Sequence, residues 1–228
     1  MSVSRLHPLL RGRRGLYAVA DPGVLPFPRL LEAAAEALAG GAVLLQYRDK
    51  EAAPAQRLER ARRLAALCRR HGVPLVVNDH PELAREAGAQ GVHLGRDDPP
   101  VEAARALLGP QALIGASCYG DLDRARAAAA ARADYLAFGA CFPSRTKPGA
   151  AVIDPRLLGR ARRELGLPVV AIGGITADNG ASLVAAGADL LAVARGLWEA
   201  PEVRAAARRI RALYEAPPPG GEHPEAGA

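Results

Sequence analysis

The sequence predicts a single (β/α)8 TIM barrel, and three observations carry the prediction. Eight short runs rich in Val, Ile, Leu and Tyr alternate with longer Ala-, Leu- and Arg-rich stretches of helical spacing. The chain has 228 residues, half of them apolar and 24% charged, the balance of a globular protein able to close one large core. Aromatics are only 4%, so the core is built from small and aliphatic side chains, which suits helices packed on a parallel sheet.

Taken in order, the expected strands are 16–20, 42–47, 74–78, 91–94, 113–117, 135–139, 169–173 and 190–194. Helix 29–39 carries an apolar stripe of Leu30, Leu31, Ala34, Ala35 and Leu38, and helix 54–71 carries Ala61, Leu64, Ala65 and Cys68. Gly40, Gly72, Gly88 and Gly187 stand where such helices should stop. An open doubly wound sheet is the runner-up, but no GxGxxG follows the first strand. The expected domain is residues 15–214, preceded by a loose arm over 1–14 and followed by a disordered tail over 215–228, where PPPGGEHPEAGA has no apolar pattern.

Lys and Arg total 30 against 24 acidic residues, a net charge of +6 that on its own would be compatible with a nucleic-acid partner. Lysine, however, occurs only at Lys50 and Lys147, and all other basic residues are arginine. A chain rich in Arg, Ala, Gly and Pro points to a GC-biased coding sequence in which surface Arg stands where Lys otherwise would. The charge is therefore no argument for nucleic acid. No apolar run approaches the roughly 18 to 20 residues of a membrane span, and the basic start lacks a hydrophobic signal core, so no membrane partner and a cytoplasmic location are expected. Cys68, Cys118 and Cys141 are odd in number and lack CxxC spacing, so they read as reduced small hydrophobes.

In this architecture active sites gather where strands end. Gln46, Arg48 and Lys50 stand at i, i+2 and i+4 at the end of the second expected strand, so an extended backbone projects them to one side. An amide and two cations at a barrel mouth suit a polyanion such as a diphosphate. Ser117 and Lys147 follow other strands and favour that reading over a merely solvated loop. Asp79 and Asp98 follow successive strands and could face each other, a donor set for Mg2+ with water and phosphate completing the shell. As helix caps they would read almost equally well, and Asp97 competes with Asp98. Gly173 and Gly174 allow close backbone approach to a phosphate on the opposite wall, and Arg195 could add to such a site or cover it. His93 reads as a packed, hydrogen-bonded core residue rather than a base, and no His is placed to activate Cys118. Small phosphorylated molecules are thus the expected partners. Ala- and Leu-faced outer helices leave a homodimer open.

These residues resemble the thiamine-phosphate synthase family. The segments LLQYRDK (44–50), VNDHPELAREAGAQGVHLGRDD (77–98), IGASCYGDLDRA (114–125), DYLAFGACFPSRTKPGA (134–150) and PVVAIGGITADN (168–179) look like its motifs in order and spacing. The resemblance implies coupling of a hydroxymethylpyrimidine diphosphate to a thiazole phosphate, giving thiamine phosphate and diphosphate by a dissociative route that uses Mg2+. It implies that Gln46, Tyr47, Arg48, Asp49, Lys50, Asn78, Ser117 and Lys147 hold the pyrimidine diphosphate, with Arg48, Lys50, Lys147 and Ser117 acting in the chemistry. It implies further that Asp79 and Asp98 hold Mg2+, and that Ser144, Arg145, Thr146, Gly174, Ala194 and Arg195 hold the thiazole phosphate. One departure stands out: Ala194-Arg195 replaces the Ile-Ser that commonly ends the eighth strand in that family. A related thiazole tautomerase is disfavoured because Ser117-Cys118-Tyr119 offers no His, while Arg48, Lys50 and Asp79 are present. A non-catalytic regulatory barrel has only the Ala194-Arg195 change behind it.

Overall fold

A computed structural model describes residues 6–143, 149 and 151–215. The strands β1 (Gly15–Ala20), β2 (Leu44–Tyr47), β3 (Leu75–Asn78), β4 (Gly91–Leu94), β5 (Leu113–Tyr119), β6 (Tyr135–Phe138), β7 (Val169–Ile172) and β8 (Leu190–Val193) form a closed parallel barrel in sequence order, with β8 pairing back onto β1. The helices are α1 (Phe27–Ala39), α2 (Pro54–His71), α3 (Pro81–Ala87), α4 (Val101–Leu108), α5 (Leu122–Ala130), α6 (Arg156–Leu165), α7 (Ala181–Ala185), α8 (Arg195–Trp198) and α9 (Val203–Ala212). All eight expected strands are present. The differences lie at their edges: β5 runs on to Tyr119 through a register shift after Ser117, and α1 starts earlier, at Phe27. Gly72 ends α2 with φ 63°, a left-handed turn that costs a glycine little. Among the described residues no helix is long and apolar enough to cross a membrane.

The pleat sorts the strand residues into two cores. Leu16, Ala18, Leu45, Leu75, Val92, Ile114, Leu136, Val169 and Leu191 point outward into the layer under the helices. Tyr17, Val19, Leu44, Val76, Leu113, Tyr135, Val170 and Leu190 point inward and fill the barrel. Space for the two tyrosines comes from the small residues that share the interior. A β-carbon at Gly115 would fall inside the Tyr135 ring, so only glycine lets that ring lie across the barrel.

Three side-chain acceptors brace the floor in a repeated way. Gln90, Asp134 and Asp189 each stand just before an even-numbered strand and accept an N–H at the start of the strand before it: Leu75 at 2.8 Å, Ile114 at 2.7 Å and Val169 at 3.1 Å. Each satisfies a donor that the end of the ladder would leave unpaired. Within the segment expected as a loose arm, residues 7–13 close this floor, while residues 1–5 lie outside the described residues. Pro8–Leu10 forms a short 3-10 helix, and Leu10 is 2% exposed in the interior cluster with Leu44, Leu113 and Leu190. His7 contacts the carbonyl of Gln111 at 3.2 Å, and Arg13 donates to that of Gly72 at 3.1 Å. Burial of one leucine plug outweighs the polar composition around it.

The cysteines are buried and unpaired. Burial pushes the thiols of Cys68 and Cys118 up to about 12 and that of Cys141 to about 11, so they stay protonated and inert.

Candidate active site

At the ends of the strands the barrel opens into a cavity of about 1090 Å³. Gln46, Arg48, Asn78 and Ser117 line it from β2, β3 and β5, as their inward register requires. Gly174, Ala194 and Arg195 line the opposite side. Ser144, Arg145, Thr146 and Lys147 lie outside the described residues.

The β2 segment divides by the pleat. Arg48 turns inward and forms an ion pair with Asp21, a buried carboxylate beyond β1 that also accepts the Gly23 N–H at 2.9 Å. Lys50 places its Nζ 3.3 Å from Asp79 Oδ2. Tyr47 and Asp49, which the resemblance grouped with the diphosphate ligands, are turned away from the cavity. Tyr47 donates its hydroxyl to Asp49 Oδ2 at 2.8 Å, and Arg60 on α2 donates to the same oxygen at 2.8 Å. Oδ1 of Asp49 accepts the Ala52 N–H at 3.0 Å and the Glu51 N–H at 3.3 Å. Burial opposes ionisation, but Arg60, the Ala52 N–H and the Tyr47 hydroxyl together hold the Asp49 carboxyl below its ordinary range. Asp49 fastens the β2–α2 loop and so aims its neighbours Arg48 and Lys50.

Asp79 and Asp98 converge. Asp79 adopts φ 65°, a left-handed conformation, with its N–H donated to the His93 carbonyl at 2.9 Å. Asp98 accepts the Gly95 N–H at 2.5 Å, whereas Asp97 is exposed. Burial, followed by the adjacent Asp79 carboxylate, raises the Asp98 carboxyl above its ordinary range, against the Gly95 N–H and Lys50. Two crowded carboxylates are thus balanced by one lysine that is 56% exposed. Among the described residues no group of three or more His, Cys, Asp or Glu could hold a metal. The donor set fits a hard divalent cation whose shell is completed by water and by substrate oxygens, not a closed protein cage.

On the far wall Gly173 and Gly174 have φ 105° and 64°. A β-carbon on Gly174 would meet the Pro143 carbonyl at 2.5 Å and Phe142 at 2.8 Å, so glycine lets the β7 loop lie against the segment after β6. Arg195 opens α8 directly after β8 and pairs with Glu199, one turn on, at the cavity edge. Its Nε is buried without a hydrogen-bond partner among the described residues.

Several cavity residues escape sequence reasoning. Asp21 has no motif around it. Tyr119 enters because the β5 bulge gives it φ 55°, and it lies with the Arg96 guanidinium 4.8 Å and that of Arg124 5.7 Å from its ring. Arg124 also donates to the carbonyls of Ser117 at 2.7 Å and Gly95 at 2.9 Å, tying the β4 and β5 loops together. His93, expected as packed core, is indeed buried and hydrogen-bonded, yet it lines the cavity floor. The signal that could have found it is its period-two register with Asn78 across the β3–β4 pair.

The family model described as thiamine monophosphate synthase matches residues 16–197. The chain is 58% identical over 190 residues to a thiamine-phosphate synthase of Thiobacillus denitrificans, covering 83% of this chain and 90% of that one. It is 53% identical over 203 residues to a thiamine-phosphate synthase of Thioalkalivibrio sulfidiphilus, covering 89% and 96%. Among solved structures it is similar to a thiamine phosphate pyrophosphorylase from Pyrococcus furiosus, with TM-score 0.80 and 35% identity over 90% of this chain and 98% of that one.

Proposed function

The chain belongs to the thiamine monophosphate synthase family, and from that membership we propose how its residues divide the work of joining a pyrimidine diphosphate to a thiazole phosphate. The observation that carries the reading is the layout at the strand ends: Arg48 and Asn78 line one side of the cavity, Lys50, Asp79 and Asp98 cluster next to them in the loops after β2, β3 and β4, and the Gly173-Gly174 turn lines the other side. Two phosphorylated substrates can thus enter one mouth with their anionic ends apart.

In the reaction the bond between the pyrimidine methylene carbon and the diphosphate oxygen breaks, and the electron pair leaves with diphosphate. The thiazole nitrogen lone pair then forms the new C–N bond. No proton need move in that coupling. Arg48 and Lys50 bind the diphosphate and offset the charge that grows on it as it leaves, with Lys147 as a further cation supplied by the chain. Asp21 fixes the Arg48 guanidinium so that it is preorganised rather than solvated. Asp79 and Asp98 would hold Mg2+, which when bound supplies a Lewis acid to the diphosphate oxygens. Gln46, Asn78 and Ser117 orient the pyrimidine diphosphate. Ser144, Arg145, Thr146, Gly174, Ala194 and Arg195 receive the thiazole phosphate.

The test is a coupled product assay on the purified chain with both substrates and Mg2+. Thiamine phosphate and diphosphate should appear in equal amounts, and chelation should stop both. Absence of either product with the metal present overturns the reading.

A further inference from the structure

A chain of hydrogen bonds crosses the buried interior beneath the cavity. Gln46 Nε2 lies 2.5 Å from the Tyr17 hydroxyl, which lies 2.9 Å from that of Tyr135. The Tyr135 hydroxyl lies 3.1 Å from His93 Nδ1, and His93 Nε2 lies 2.9 Å from Ser117 Oγ. The rings hold one another in place: Tyr17 meets Tyr135 edge-on at 86°, and His93 stacks on Tyr135 at 17°. Tyr17 and Tyr135 are 1% and 0% exposed, and burial raises both phenols well above their ordinary value, so each keeps its one proton.

Counting protons gives the chain a direction. Tyr17 accepts from the Gln46 amide, so its own proton goes to Tyr135. Tyr135 accepts that proton, so its own goes to His93 Nδ1. Nδ1 must then be a bare acceptor, the imidazole is neutral, and its proton sits on Nε2 facing Ser117 Oγ. Ser117 already accepts from His93, so its hydroxyl proton is left to donate into the cavity.

We propose that Tyr17, Tyr135 and His93 are positioning residues that act through Ser117, fixing its hydroxyl as a donor toward an anionic oxygen of the bound diphosphate. The inference deepens the proposed function and rests on it for the identity of that anion, but the direction of the chain does not depend on it. The reverse chain has the opposite chemistry: Ser117 would donate to Nε2, Nδ1–H to Tyr135, and the cavity would be offered only lone pairs.

Two measurements test this. Long-range 1H–15N correlation on 15N-histidine-labelled protein, with the His93 signals assigned by their loss in His93→Asn, should show a neutral ring protonated on Nε2 and accepting at Nδ1. Tyr135→Phe should move the Nδ1 resonance to that of an acceptor without a hydrogen bond. Should Tyr135→Phe not fold, Tyr17→Phe breaks the chain one link earlier and should weaken the same bond. A proton on Nδ1, a charged ring at neutral pH, or a resonance unmoved by either variant overturns the proposal. The second measurement is a double-mutant cycle. Tyr135→Phe should lower kcat/KM roughly tenfold when Ser117 is present and by less than about twofold in a Ser117→Ala background. Equal losses in the two backgrounds would mean that Tyr135 merely packs, and would overturn it. If the chain forms no thiamine phosphate at all, the proposed function fails while the spectroscopic arm still decides the direction of the chain.

Discussion

Asp49→Ala separates a structural carboxylate from a substrate ligand. The Asp49 side chain is 2% exposed and its partner Arg60 20%, and the alanine variant leaves that guanidinium without its buried counter-charge. Removing one partner of a buried pair costs about 3–5 kcal/mol, and the partial exposure of Arg60 puts this case near the lower end. The Tyr47 hydroxyl loses its acceptor as well, for about 1 kcal/mol more. The total of about 4 kcal/mol is a large share of the roughly 5–15 kcal/mol that holds a domain folded. In urea titration followed by circular dichroism, with a slope of about 3 kcal/mol per molar, the midpoint should fall by roughly 1.3 M. Acid sharpens the test. The folded Asp49 carboxyl titrates below its unfolded value of about 3.9, so its stabilisation is fully present above that pH and is lost as pH falls through the folded value. The difference between wild type and variant should therefore shrink in acid. A variant with an unchanged midpoint and a sharply raised KM for the pyrimidine diphosphate would refute the reasoning and return Asp49 to the ligand set.

Asp79→Asn keeps a residue that tolerates the left-handed backbone at φ 65°, so Tm should stay within about 2 °C while turnover falls by about a hundredfold or more; near-normal turnover would remove Asp79 from the site. Gly115→Ala drives a methyl group into the Tyr135 ring and should cost about 3 kcal/mol, seen as a fall in Tm of roughly 6–10 °C; no change would show that the ring moves freely. Arg195→Ser should raise the KM for the thiazole phosphate roughly tenfold with kcat little changed, whereas an unchanged KM would mean that the guanidinium serves only Glu199.

The barrel was legible because each strand is a short apolar run bounded by helices, and strand ends in such a barrel converge by topology. Topology alone therefore places Gln46, Arg48, Asn78 and Ser117 at one mouth, where the structure has them. Legibility failed where the local pattern pointed the wrong way. Leu10 sits among basic and turn-forming residues, and only the open floor of the finished barrel gives it an apolar place to go. Tyr47 and Asp49 alternate in sequence with Gln46, Arg48 and Lys50, and the two-residue pleat that turns their side chains toward Arg60 becomes visible only in the structure.

By itself the sequence determined the parallel (β/α)8 arrangement and the family. Periodicity and residue type are local quantities, and a short window of chain contains them. Tertiary structure alone decided the partners: Asp21 for Arg48, Arg60 for Asp49, Lys50 beside Asp79, and the path from Gln46 to Ser117 through Tyr17, Tyr135 and His93. Those contacts join residues far apart in the chain. Their geometry follows from which way each strand's pleat faces and how the small residues Gly115 and Ala137 leave room in the barrel, neither of which exists until the eighth strand closes on the first.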